Sequence, residues 1–208
     1  DFKGDAYAFS LPPQTAEACR TLCRERELTP FMVFAAAFGL LLGRLSGREE
    51  LLLGTPVSGR SRSELWQVCG PFIATLPLRV QPGAERTVSG YLAGLRRETL
   101  WLLEHQELPL DQVLNKLELP RALGENPLFQ VLFTYRPLDV NDLTLVGGPL
   151  RVLDTPHTTA KMDLTLEGAE SGGDFSFALE YASPLFERGT AALYARCFVR
   201  AVAALCSA

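Results

Sequence analysis

The chain has 208 residues, with 20 Lys and Arg against 24 Asp and Glu, 2 His and a net charge of −4. Apolar residues make up 47% and charged residues 21%, with 12 Phe, so the chain can build a core and is not a disordered segment. Its mild acidity argues against a nucleic-acid binder, which needs a basic face to replace phosphate counterions, and its length fits one domain or two small ones.

Residues 7–11 (YAFSL) alternate and stop at Pro12-Pro13, which predicts a strand. Residues 15–27 follow helical spacing, with Ala18, Cys19, Leu22 and Cys23 inward and Glu17, Arg20, Arg24 and Glu25 free for water. Thr29 caps a second helix with Pro30 at its first position. That helix is apolar nearly all round, runs to about Leu45 and closes at Ser46-Gly47. Residues 51–57 (LLLGTPV) predict a buried strand in which Pro56 implies an edge, a bulge or a strand end. Residues 58–70 are polar and Arg-rich, a loop; 73–80 (IATLPLRV) are a strand, again with a Pro. Residues 88–104 predict a helix and 109–117 a short one; 129–135 (FQVLFTY) predict a strong strand. Residues 143–153 suggest paired short strands around Gly147-Gly148. Residues 162–169 and 175–181 alternate about Ser171-Gly172-Gly173-Asp174, a hairpin signature. Residues 186–205 close the chain as an amphipathic helix. The order predicts one α/β domain with a mixed sheet and helices packed against it.

The longest apolar run, residues 30–43, is shorter than the roughly 20 residues a bilayer crossing needs, and no signal-peptide pattern opens the chain. It begins DFKGDAYAF without an initiator Met, which suggests processing or excision from something longer. The five cysteines, at 19, 23, 69, 197 and 206, form no CxxC pair. They read as free thiols in a reducing cytosol, and with two His a structural zinc is not expected.

Little catalytic equipment stands out. His105, in EHQELP, ends a helix, where an imidazole interacts well with the terminal carbonyls; His157, in TPHTTAK, lies in a loop. Ser58, in GTPVSGR, is not a G-x-S-x-G elbow, because Pro56 holds the first glycine's place. No phosphate-binding loop, dinucleotide fingerprint or H-E-x-x-H occurs. No pair of acids sits in an apolar setting that would make one a proton donor. Arg60 follows Gly59 at the end of a buried strand; either a carboxylate pairs with it or it is a solvated loop charge like Arg62. Asn126 before Pro127 is an ordinary turn opener. Asp163, the one charge in MDLTL, is placed by alternation on the solvent face. Alone, these residues describe a binding lobe or a fragment without its own catalytic set.

Five segments in register add more: TPFMVFAAAFGLLLGRLSG, LLLGTPVSGR, CGPFIATLPLRV, EHQELPLDQVL and ENPLFQVLFTY. In this order they resemble the later core motifs of condensation domains in nonribosomal peptide synthetases. MDLTLEG and the closing helix resemble the end of that family. The resemblance implies a chloramphenicol acetyltransferase-like fold: two α/β-sandwich lobes forming a V, with an HHxxxDG motif in the N-terminal lobe. No such motif occurs here, so residues 1–208 are expected to be the C-terminal lobe alone, with no catalytic residue of its own. Such a lobe would help to join a donor and an aminoacyl acceptor, both thioester-bound to carrier proteins. It would supply a wall of the tunnel and carrier contacts, and be inactive by itself.

Residue by residue, Gly54, Pro56, Gly59 and Arg60 match the family's G-x-P-x-x-G-R, whose Arg is expected to pair with the Asp of HHxxxDG. The interlobe and tunnel residues implied are Ser58, Gly59, Arg60, Phe72, Thr75 and Asn126. Residues 58–75 would floor the tunnel and about 137–160 would form a latch. Three departures stand out. Phe72-Ile73-Ala74-Thr75 replaces the F-V-N-T pattern and loses its amide. His105-Gln106-Glu107-Leu108-Pro109-Leu110 replaces H-Q-D-x-P-F, and Glu125 stands where R-N-P-L has Arg. No cofactor is expected on the chain itself, only the 4′-phosphopantetheine arms of its partners, and no metal. Expected partners are the N-terminal lobe, donor and acceptor carrier proteins and an adjacent adenylation domain, in the cytoplasm, with no nucleic acid or membrane. An exposed lobe face is expected to favour self-association. The alternatives are a non-catalytic carrier-docking lobe, or a lobe of an epimerisation or heterocyclisation domain.

Overall fold

Strand β1 (Gly4–Ser10) ends at Pro12-Pro13, and α1 (Pro13–Glu25) follows with proline at its first position, two residues before the sequence pattern suggested. Its inward stripe is Ala16, Cys19 and Leu22. Helix α2 (Pro30–Ser46) starts where Thr29 accepts a hydrogen bond from the Met32 N–H, and it ends at Gly47. Ten of its residues are buried, from Met32 to Gly43, which is what an all-apolar helix requires. The computed structural model describes residues 2–83, 87–117, 127–136, 144–145, 148–149 and 158–207. His157, Asn126 and Glu125, and most of the expected latch, lie outside the described residues.

The remaining elements are β2 (Leu51–Val57), β3 (Ala74–Val80), α3 (Val88–Glu104), α4 (Leu110–Leu117), β4 (Val131–Arg136), β5 (Thr144–Leu145), β6 (Gly148–Pro149), β7 (Leu164–Ser171), β8 (Asp174–Ala182) and α5 (Arg188–Cys206). Among the described residues six strands form one mixed sheet in the order β1-β8-β7-β4-β2-β3, and β5 pairs with β6 as a separate ribbon. The β2–β4 and β4–β7 pairs are parallel; the others are antiparallel. The β7–β8 hairpin turns through Gly172 and Gly173, at φ 58° and 87°. Two consecutive positive φ values make the tight turn whose twist suits adjacent strands.

Both in-strand prolines are accommodated by the ladder. Pro77 faces Gly54 and Pro56 faces Thr75, two rungs apart and so in the same class of pair. In the class whose N–H groups point away from the partner strand, neither ring removes a hydrogen bond. β3 is an edge strand, and Pro56 lies at the end of β2, beyond its Gly54–Leu132 rung with β4.

The helices cover one face of the sheet. Phe34 of α2 lies 5.1 Å from Phe175 and 5.0 Å from Phe177, and Phe177 lies 5.0 Å from Phe198 of α5. β8 alternates as its sequence suggests, burying Phe175, Phe177, Leu179 and Tyr181. β7 does not: Leu164, Thr165 and Leu166 are all buried. Asp163, just before β7, is half-buried rather than placed on a solvent face. α5 is long and apolar enough to cross a membrane by length and composition. Its stripe of Ala191, Ala195, Phe198, Val202 and Leu205 is turned into the core instead.

Candidate functional site

β2 and β4 run parallel, so their C-terminal ends open at the same side of the sheet, the position at which parallel sheets commonly bind ligands. The chain leaves β2 at Ser58 and returns to the sheet at Ala74, and the intervening loop folds around one side chain. Arg60 donates to the Leu65 carbonyl, and to the Gly70 carbonyl at 3.3 Å. Its guanidinium carbon lies 4.5 Å from the centre of the Phe72 ring. The Trp66 indole N–H donates to the Arg60 carbonyl at 3.2 Å, and the Ser58 hydroxyl accepts from the Arg60 N–H at 3.3 Å. Arg60 is therefore not a loose, solvated loop charge. Backbone carbonyls and a ring face take up its donors and its charge. No carboxylate lies within 4.0 Å of it among the described residues, by the ion pairs found there.

Gly59 makes this turn possible. Its φ is +64°, and a Cβ there would lie 1.9 Å from the Phe72 carbonyl oxygen. Gly54, buried in β2, has a different reason: a Cβ would meet the Phe129 ring at 2.3 Å. The glycines of the G-x-P-x-x-G-R segment thus set a close crossing of backbone and a close ring contact.

A second anchor comes from the turn after α3. Glu107 accepts from the Ser61 hydroxyl at 2.8 Å and from Arg62 Nε and Nη2, each at 3.2 Å. The Arg62 fork, then Ser61, holds the Glu107 carboxyl below its usual range, and Arg62 is raised in return. Arg62, read from sequence as a solvated charge, is paired. His105 stays local: Nδ1 lies 2.7 Å from the Trp101 carbonyl and the ring stacks on Trp101 at 4.3 Å.

Two cavities share this end of the sheet. The smaller, about 410 Å³, is lined by Ser58, Arg60, Phe72, Ile73, Tyr135 and Arg136 among others. The larger, about 740 Å³, shares Pro56, Val57, Ser58 and Tyr135 and continues beneath α3 to the first turn of α2. The structure thus brings Ser58, Arg60 and Phe72 together and gives Gly59 a backbone role. Thr75 is half-buried opposite Pro56 and lines neither cavity. Ala74 opposes Val57 at the last rung, a methyl where the family pattern has an amide.

The lining of the two cavities includes no His, Cys, Asp or Glu among the described residues, and no cluster there could hold a metal ion. Tyr135, which sequence reading missed, donates to Glu170 at 3.2 Å; burial, then the Glu170 charge, pushes its phenol up. Elsewhere, Cys19 is wholly buried beside Cys206 and Cys23, whose thiols and burial raise its thiol pKa well above the ordinary range.

The whole chain, residues 1–208, matches the sequence profile of the Condensation family, described as a condensation domain. The chain belongs to this family. It is 36% identical over 189 residues to surfactin synthase subunit 1 of Bacillus subtilis (strain 168), covering 91% of this chain and 5% of that protein. It is 32% identical over 198 residues to bacitracin synthase 2 of Bacillus licheniformis, covering 95% and 8%. The fold is shared with the condensation domain of the monacolin K polyketide synthase MokA, with TM-score 0.85, 20% identity, and coverage of 99% of this chain and 47% of that one. It is also shared with the X-domain from teicoplanin biosynthesis, with TM-score 0.86, 22% identity and 47% coverage of that chain. The condensation-domain chain therefore spans a small part of its curated relatives and just under half of these solved structures.

Proposed function

We propose that this chain is the C-terminal lobe of a peptide-bond-forming condensation domain. The observation that carries the reading is the Arg60 loop, folded at the mouth of two adjoining cavities whose described lining offers no general base. In the reaction, the amine lone pair of the acceptor attacks the donor thioester carbonyl. The tetrahedral intermediate expels the carrier's thiol, and the amine proton must leave through a base. Nothing in the described lining can take that proton, so the base would come from the HHxxxDG lobe. This lobe would position the two arms and exclude water. Arg60, already turned towards the cleft, would meet the Asp of that motif across the junction; Ser58, Phe72 and, in the family pattern, Thr75 and Asn126 would border the tunnel. The lobe's partners would be donor and acceptor carrier proteins bearing 4′-phosphopantetheine arms and a neighbouring adenylation domain, in the cytoplasm.

The test is reconstitution. The separately expressed N-terminal lobe is mixed with this chain and two loaded carriers, and the amide is followed by mass spectrometry. Product is expected from the pair of lobes and from neither alone, and Arg60→Ala is expected to weaken lobe association by about tenfold. Product from this chain alone overturns the reading. Carrier binding without product from the pair assigns the chain to docking instead.

A further inference from the structure

We infer that the larger cavity is a binding subsite for an apolar group, an aromatic side chain or a medium-length acyl chain, carried by one of the two substrates. The assignment of that group to a thioester substrate rests on the proposed function; the chemistry of the site does not. Its volume, about 740 Å³, lies within the range typical of small-molecule pockets, roughly 300–1,000 Å³. Its walls are Pro30, Phe31 and Met32 from the first turn of α2, Val57 from the end of β2, and Leu102 and Leu103 from α3. The polar side chains in the lining, Thr29, Thr55, Ser58, Thr99 and Gln106 besides the Tyr135 hydroxyl, are all uncharged. A charged group pushed into this space would lose its water and find no counter-charge among the described lining residues.

Thr99 is the second observation. It is 4% exposed, lines the cavity wall, and its hydroxyl is the buried side-chain polar atom that has no hydrogen-bond partner among the described residues. Such orphans are rare in native proteins and call for a reason. A water in the cavity is its natural partner, which marks this wall as open to a small molecule while the apolar walls take the tail. Leu100 and Leu103 add a third point, for both line the cavity yet remain 40% and 42% exposed. The mouth is shared with the Arg60 cleft through Ser58 and Tyr135. An apolar tail seated under α3 would therefore leave its thioester end beside Ser58 and Arg60.

The test uses the whole chain and N-acetylcysteamine thioesters, with binding read by saturation-transfer NMR. Octanoyl and phenylacetyl thioesters are expected to bind at least about tenfold more tightly than the acetyl thioester, and the charged succinyl thioester no better than acetyl. Leu103→Trp and Leu100→Trp, each filling the space from its exposed rim, are expected to remove that preference. Leu193→Trp, on an exposed face of α5, is expected to keep it. Equal affinities for octanoyl and acetyl, or a preference that survives both rim substitutions, overturn the subsite. The two readings fail separately. A parent condensation domain that makes no amide, while this chain still ranks octanoyl above acetyl, sinks the proposed function and leaves the subsite standing. An active parent with no such ranking does the reverse.

Discussion

Arg60 looks from its neighbours like a charge awaiting a partner, and the residue before it decides where it points. Gly59 occupies a backbone region that side chains rarely adopt, and a Cβ there would run into the Phe72 carbonyl oxygen. Replacing it by alanine adds left-handed strain and a contact with backbone, which cannot rotate aside. We expect Gly59→Ala to destabilise the chain by about 1–3 kcal/mol and to move Arg60 off the Phe72 ring. Urea denaturation measures the first effect. The emission of Trp66, whose indole N–H is held by the Arg60 carbonyl, reports the second. An unchanged midpoint with unchanged emission would show that the loop relaxes freely around the new methyl. Nothing in the residues flanking Arg60 signals its two carbonyl partners, because backbone acceptors carry no side-chain identity. Its partnered state was for that reason not legible, whereas the glycine before it was.

At the scale of elements, bounded apolar runs were the most legible. Residues 51–57 and 88–104 form β2 and α3 with the same limits the sequence suggested, and Thr29 caps α2 as its position before Pro30 implied. The strand after Asn126 begins later than expected, at Val131, because Phe129 turns into the core against Gly54 before the sheet begins. Strand order was not legible: β1 pairs with β8 across most of the chain, and β4 crosses back to lie beside β2. Neither partner is specified by local pattern. The same holds for the bond between Glu107, after α3, and Ser61 and Arg62 on the loop, which long-range topology alone brings together. That bond predicts a pH response. A carboxylate held below its usual value by a cation stabilises the folded loop above its unfolded pKa, near 4.5, and loses that contribution as pH falls through the lower folded value. Hydrogen exchange across residues 58–72 is therefore expected to quicken on acidification below about pH 4.5. In Glu107→Gln the exchange should already be fast at neutral pH and lack that acid step. A wild-type loop whose protection is flat through the acid range would remove the tether from the account.

For the molecule as a whole, the uneven distribution of exposed apolar side chains matters more than their number. The loop over the cleft carries Trp66, Val68 and Ile73, exposed by 70%, 44% and 76%, and Glu107 pins that loop beside the end of α3, where Trp101 is 57% exposed. Elsewhere α1, α2 and α5 turn most of their apolar residues inward, with single exposed leucines such as Leu45 and Leu193, and β3, one of the two edge strands, carries Pro77, a residue that discourages strand addition. The β3 edge is thus guarded against strand addition, while one end of the molecule is left apolar. Burying a side chain such as Ile73 or Trp66 is worth about 1.5–3 kcal/mol, so a second copy is a ready partner when no other lobe covers this end. The chain alone is expected to associate reversibly with rising concentration, as read by sedimentation velocity. Trp66→Ser combined with Ile73→Ser should shift it to monomer with at most a small fall in melting temperature, from the lost Trp66–Arg60 hydrogen bond, since both side chains are largely exposed. Leu193→Ser, on the exposed side of α5, should leave the association unchanged. Addition of the N-terminal lobe should dissolve the self-association in favour of a one-to-one pair. A chain that stays monomeric at every concentration, or an association untouched by the double substitution, would mean that this apolar end does not drive contact between copies.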